Sequence, residues 1–205
     1  MSYVQSLQQV TVGSRQWRPV SVLAALMFVC TLPVRSPGAG SVPGLVVPDG
    51  FGVNIHFTGD PQDLDLIRDA GFRFVRMDLT WSGVERQMGV YDFEKAGYDA
   101  LTAGCKRRGI HIIYILDYSN RLYEQERSIR TGPGRKAFAA FAEAAARRYA
   151  GHGILWEIWN EPNLRQFWSP QPGIDDYCRL VEEVAPLIKQ ADPSGTVVAP
   201  ATSGI

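Results

Sequence analysis

From Phe51 to Ala199 short apolar runs alternate with helical segments, strand then helix, and this alternation restricts the chain to a parallel sheet with right-handed crossovers. The first unit is a strand over 52–57. Its helix opens with Asp60 as N-cap and Pro61 at the first helical position, and closes at Gly71. The second has a strand over 72–79 and a helix from near Asp92 to Gly109, where Lys106, Arg107 and Arg108 suit a helix C-terminus. A third strand spans 110–116, and its helix, roughly Arg135 to Ala150, buries a stripe of Phe138, Phe141 and Ala145. The fourth pair is a strand over 154–160 and a helix from about Asp175 to Ala191, with Tyr177, Val181, Val184 and Ile188 on one face and Pro186 expected to kink it. A fifth strand covers 196–199.

Two architectures fit such a repeat, an open doubly wound sheet and a closed (β/α)8 TIM-barrel. The barrel is favoured. No glycine-rich phosphate loop follows the first strand, where Asn54-Ile55-His56-Phe57-Thr58-Gly59 stands instead. Helix-to-strand links at Gly71 and Gly109 are minimal, whereas the strand-to-helix links 80–91, 118–134 and 162–173 are long, as on a barrel rim that builds a site. Alternation along the strands puts Asn54 and His56 on one face, and likewise Arg76 and Asp78, opposite Val75, Met77 and Leu79. That polar face must look into the lumen. The same count puts Asp117, Glu157, Trp159 and Glu161 on the lumen side, and Asn160 away from it unless the strand twists or bulges at its end.

Composition narrows the partners. The chain has 205 residues, 45% hydrophobic, with formal net charge zero. It shows no concentrated Lys/Arg stripe of the kind a phosphate backbone needs, so nucleic acid is not expected as a partner. Neutral or weakly charged substrates fit better. His111 and His152 lack ligand-spaced partners, so no metal is expected, and no cofactor.

The segment Trp156-Glu157-Ile158-Trp159-Asn160-Glu161-Pro162-Asn163 places a carboxylic acid at a strand mouth beside an amide and between aromatic rings. Its tetrad Trp159-Asn160-Glu161-Pro162 resembles the fourth-strand motif of retaining glycoside hydrolases of the large (β/α)8 clan, of the cellulase-like family 5 and family 39 type. The resemblance covers 51–205 and includes 81–93, Trp-x-x-Val-Glu-x-x-x-Gly-x-Tyr-Asp-Phe. It implies Glu161 as general acid/base, Asn160 on the sugar's 2-hydroxyl, Arg76 as the strand-two arginine that orients the nucleophile, and His56 as a substrate-side histidine. Arg76 could as well pair with Glu157 or Asp78, and His56 could be a satisfied core histidine. An acid/base must stay protonated near neutrality, which a half-desolvated pocket would favour at Glu161. Asp117 could contact hydroxyl groups, and Trp81 and Trp168 on the long loops could stack on sugar rings, although either could be core.

Retaining hydrolysis needs two carboxyl groups about 5 to 5.5 Å apart. The resemblance gives the nucleophile's place near strand seven, and the chain holds five strands, so it is expected to be the N-terminal portion of the barrel, truncated after about five strands and inactive alone. The activity expected of the lineage is hydrolysis of O-glycosidic bonds in a β-linked polysaccharide or glycoside. A non-catalytic carbohydrate-binding barrel is the alternative.

Residues 1–48 contain no Asp or Glu; Arg15 and Arg18 precede the apolar run 20–32, and Pro33 and the small-residue stretch 36–41 follow it. This pattern is expected of a signal peptide or leader over 1–40, then a linker over 41–50 and the partial catalytic domain over 51–205. The run is shorter than the roughly 20 residues of a spanning helix, so a secreted, periplasmic or cell-envelope protein with no stable membrane span is expected, with an uncleaved anchor as the alternative. Cys105 and Cys178 fall on different outer helices and are expected to be unpaired and mostly buried.

Overall fold

A computed structural model describes Gly50–Phe57 and Asp60–Gly204, which lie in a compact unit spanning Val46–Ile205. The expected leader, and the expected linker up to residue 49, lie outside the described residues. Strands β1 (Gly52–Ile55), β2 (Phe74–Thr80), β3 (His111–Asp117), β4 (Leu155–Ile158) and β5 (Thr196–Val198) are interleaved with helices α1 (Pro61–Asp69), α2 (Trp81–Val84), α3 (Tyr98–Arg108), α4 (Gly132–Arg148) and α5 (Ile174–Ala191). All four strand pairings are parallel, and the order in the sheet is β1-β2-β3-β4-β5. A doubly wound sheet reverses its order at a switch point. This one never does, so it forms the wall of a TIM-type barrel with one face to the helices and the other to the lumen.

Local chemistry explains most boundaries. Asp60 caps α1 by accepting a hydrogen bond from the Gln62 amide at 2.9 Å, with Pro61 beginning the helix. Gly109, at φ 65°, ends α3 in the left-handed conformation that favours glycine. That helix starts at Tyr98 rather than near Asp92, because left-handed Gly97 (φ 89°) separates it from a run of turns. Helix α4 starts three residues earlier than expected, where Thr131 Oγ1 accepts from the Gly134 amide at 2.9 Å.

Between sheet and helices lies one apolar core. Val75, Met77 and Leu79, with Ile112, Tyr114 and Leu116, and with Trp156 and Ile158, pack in a cluster that includes Leu101, Phe138, Phe141, Val184 and Ile188. Cys105 is a buried free thiol, whereas Cys178 is exposed. The expectation of burial fails at Cys178 because α5 buries the stripe Leu180, Val184 and Ile188, and a residue two positions before Leu180 points nearly the opposite way. No helix among the described residues is long and apolar enough to cross a membrane.

Candidate active site

The lumen face is organised around one guanidinium. Arg76 donates from Nε and Nη2 to the two oxygens of Glu157, both at 2.8 Å, across the intervening β3. Its Nη1 donates to Asn54 Oδ1 at 3.0 Å and its Nη2 to Asn160 Oδ1 at 2.8 Å. Glu157 also accepts the Ala201 amide at 2.8 Å, so a single ion pair ties β1, β2, β4 and the segment after β5 together. A bidentate guanidinium–carboxylate pair is among the strongest charge-assisted contacts available. The hydrogen bonds that Arg76 donates to Glu157 hold its pKa above the ordinary arginine range.

The end of β4 departs from strand geometry. Trp159 has φ 70° and Glu161 φ 45°, both in the left-handed region that costs a non-glycine residue roughly 1 to 3 kcal/mol. Simple alternation would leave Trp159 in the lumen and Asn160 outside. The turned backbone exchanges them. Trp159 is fully buried against Trp168, Tyr118 and Phe138, donating its indole N–H to the Phe167 carbonyl at 3.0 Å. Asn160 meets Arg76 and donates from Nδ2 to the Tyr118 hydroxyl at 3.0 Å. Burial, followed by the nearby Asp117 carboxyl, pushes the Tyr118 phenol up to about 12. Glu161 is half-buried, and its amide donates to the Ala201 carbonyl at 3.0 Å. Its carboxylate enters no hydrogen bond or ion pair among the described residues.

Asp117 ends β3 with no exposed surface, and neither carboxyl oxygen has a hydrogen-bond partner among the described residues. Burial pushes its pKa well above the usual carboxylate range, and Asp78 adds to this. With no bond of ordinary geometry made, the Asp78 contribution is the repulsion of a like charge; Arg127 and Arg76 oppose it. His56 is largely exposed, with Nδ1 3.6 Å from Asp78 Oδ2 and Nε2 3.4 Å from Asn54 Nδ2. Asn54, His56, Arg76, Asp78, Asp117 and Asn160 thus gather at one end of the sheet.

Two expected members are elsewhere. Trp81 and Trp168 are 0% exposed and lie in the core, so neither offers a face to a sugar ring. Trp81 stacks on Tyr123 at 5.0 Å and meets Phe138 edge-on at 5.4 Å, while Trp168 fills the space between Trp159 and Tyr177. Long-loop position alone does not expose a residue whose loop folds back on the helices.

Two buried glutamates went unassigned in the sequence and hold the rim in place. Glu85 accepts from the Trp81 indole at 2.5 Å, the Gly89 amide at 2.6 Å and the Tyr123 hydroxyl at 2.5 Å. The spacing Trp-x-x-Val-Glu-x-x-x-Gly contained that signal. Glu124 accepts from the Arg130 and Thr131 amides at 3.1 and 2.9 Å and from the Thr131 hydroxyl at 2.8 Å, and a Cβ on Gly134 would run into it. Asn120 Nδ2 then donates to the Glu85 carbonyl at 2.7 Å, joining the loop after β2 to the loop after β3.

The family model for cellulases, glycosyl hydrolase family 5, matches residues 44–204. No curated protein matches the chain. Among solved structures it is similar to a family 39 glycoside hydrolase from the gut symbiont Bacteroides cellulosilyticus WH2, at 28% identity and TM-score 0.60, over 72% of this chain and 30% of that one. It also resembles in fold a family 39 beta-xylosidase from Caulobacter crescentus (24%, TM-score 0.61, 77% and 42%) and the Pseudomonas stutzeri endoglucanase Cel5A (16%, TM-score 0.59, 72% and 50%). The chain spans between about a third and a half of the length of these structures.

Proposed function

The chain belongs to the cellulase family, glycosyl hydrolase family 5, and from this lineage we propose that it takes part in retaining hydrolysis of a β-linked polysaccharide or glycoside, with Glu161 as the acid/base. The observation that supports the role is the unengaged, half-buried Glu161 carboxyl held at the strand mouth by left-handed backbone. An acid that protonates a leaving oxygen must have its oxygens available. Asn160, turned inward and fixed between Arg76 and Tyr118, is suited to bond the sugar's 2-hydroxyl, a contact that strengthens in the transition state. Arg76 and His56 complete the polar floor, Asp117 lies buried beneath it and, contrary to expectation, out of reach of a sugar hydroxyl, and Trp81 and Trp168 support it from the core.

The nucleophile is proposed to come from outside the described residues. Glu157 is committed to Arg76 and the Ala201 amide, and Asp117 has no exposed surface, so neither is free to attack an anomeric carbon. On this reading the 205-residue chain by itself turns over no glycoside. The binding-only alternative has less support, because two of its four aromatic platforms, Trp81 and Trp168, are fully buried and the others, Tyr123 and Phe167, are partly so. Export through a leader over residues 1–40 belongs to the same proposal, and mass spectrometry of the mature N-terminus tests it.

The test is Glu161→Gln in the natural polypeptide that carries these residues, assayed on two aryl β-glycosides. A poor phenolic leaving group needs the proton, and the loss expected there is about 10²- to 10⁴-fold. A dinitrophenyl leaving group needs none, so the step that releases it should be far less affected. Equal loss on both substrates would reject Glu161 as the acid, and Glu161-dependent turnover by the 205-residue chain would reject the placement of the nucleophile.

A further inference from the structure

We propose that the cavity between the loops after β2 and β3 is a subsite for an anionic saccharide unit, recognised by Arg86 and Arg121; this deepens the glycoside hydrolase reading and rests on it. The cavity measures about 620 Å³ and is lined by Ser82, Tyr118, Asn120, Arg86, Arg121 and Arg127, among others. Tyr118 belongs to both places: it lines the cavity, and its hydroxyl accepts from Asn160, the neighbour of Glu161. The cavity therefore begins one side chain away from the amide assigned to the sugar.

Its charge is out of balance. Three arginines line it against one carboxylate, Glu126, whose Oε2 already accepts from the Ser169 hydroxyl at 3.0 Å. Arg127 is held, with its guanidinium carbon 3.9 Å over the Tyr118 ring and Nη1 donating to the Gln166 carbonyl at 3.3 Å. Arg86 and Arg121 are exposed and have neither ion pair nor hydrogen bond among the described residues. At least eight other arginines among the described residues each have a carboxylate partner. With the chain neutral overall, two unmatched guanidiniums facing one cavity are a local attraction and not a consequence of net charge.

A guanidinium offers a planar fork of donors that fits a carboxylate or a sulfate ester, and a neutral sugar has no group that uses it fully. The walls are preorganised. Glu85 pins the loop that bears Arg86, Glu124 pins the loop that bears Arg121, and Asn120 joins the two. Affinity gains most where the site does not have to be ordered on binding. The fitting ligand is a glycan unit bearing a carboxylate, as in a hexuronic acid, or a sulfate ester.

The experiment is calorimetric titration of the 205-residue chain with three oligosaccharides of equal length: one with a glucuronic acid unit, one sulfated and one neutral. An acidic oligosaccharide is expected to bind about tenfold more tightly than the neutral one, about 1.4 kcal/mol. That advantage should shrink with added salt. Arg86→Gln with Arg121→Gln should abolish it, with circular dichroism confirming an unchanged fold, and Arg121→Lys should retain only part. Preference for the uronate or for the sulfate identifies which anion is read. Equal binding of acidic and neutral ligands, no binding of any, or an advantage that survives the double substitution would each overturn the subsite. Because no turnover is measured, failure here leaves the hydrolase reading standing, whereas failure of that reading shows as inactivity of the natural polypeptide on all glycosides, so the two failures are distinguishable.

Discussion

The two faces of the same five strands are built by different physics. On β2 the outward Val75, Met77 and Leu79 are buried against helices, whereas the inward Arg76 and Asp78 stay partly open and meet polar partners. On β4, Trp156 and Ile158 face out and Glu157 faces in. The outer face is held by apolar area, which has no direction; the inner face is held by oriented bonds. Trp159 and Asn160 show how one segment serves both, since the left-handed turn sends the indole to the core and the amide to the lumen. Trp159→Ala should cost about 3 to 5 kcal/mol in urea unfolding of the chain, because a fully buried ring and its indole bond to Phe167 are lost. The sharper form adds glycine. At Trp156, in regular strand, glycine should be worse than alanine; at Trp159, with φ 70°, it should be equal or better, because only there does it relieve the backbone. The same ranking at both positions would break the contrast between a regular outer face and a turned strand end.

The inner face should respond in pairs. Arg76→Met leaves the Glu157 carboxylate, 5% exposed, without its counter-charge. The expected cost is about 2 to 3 kcal/mol, somewhat less than for a fully buried pair because the Arg76 side chain keeps 25% of its surface in water. Adding Glu157→Gln should restore much of that loss, since a neutral amide no longer demands a cation. The measurement is a double-mutant cycle by chemical denaturation. A coupling near zero would mean that the pair is a surface contact; two outer-face substitutions at separated positions should show no such coupling.

The outer face was far more legible in the sequence than the inner one. Periodicity of Val75, Met77, Leu79 and of Val184, Ile188 is a repeated signal, and it located the sheet and its helical side. Caps did the same for α1, through Asp60 and Pro61. Inner-face partners lie far apart in the chain, as Arg76 and Glu157 do, and nothing in a one-dimensional pattern pairs them; both Glu157 and Asp78 stood open as candidates. The position of Asn160 was legible only as a conflict between parity and role, which the φ of Trp159 resolves. Trp81 and Trp168 show the opposite weakness: a loop address says nothing about which way a ring points. Glu124 left little trace because two of its three partners are backbone amides six and seven residues on, which any sequence possesses.

The smallest expected effect, and the finest probe of the inner face, is at Asp117. Its carboxyl is buried and faces Asp78, so the folded chain holds it protonated at a pH where the unfolded chain, near the ordinary aspartate value of about 3.9, would release the proton. Between those two values the folded state binds the extra proton, so stability declines as pH rises through that window and levels off above the folded value. Arg76 and Arg127 face the same group and limit the decline. Asp117→Asn has nearly the same shape and no charge to bury, so the variant should match the parent at pH 3, exceed it at pH 7, and show a flatter pH profile in urea midpoints. An amide that is less stable than the acid at pH 7 would mean that a charged Asp117 is stabilised by Arg76 and Arg127 after all. The inner face would then be a four-charge network instead of one ion pair beside a neutral acid.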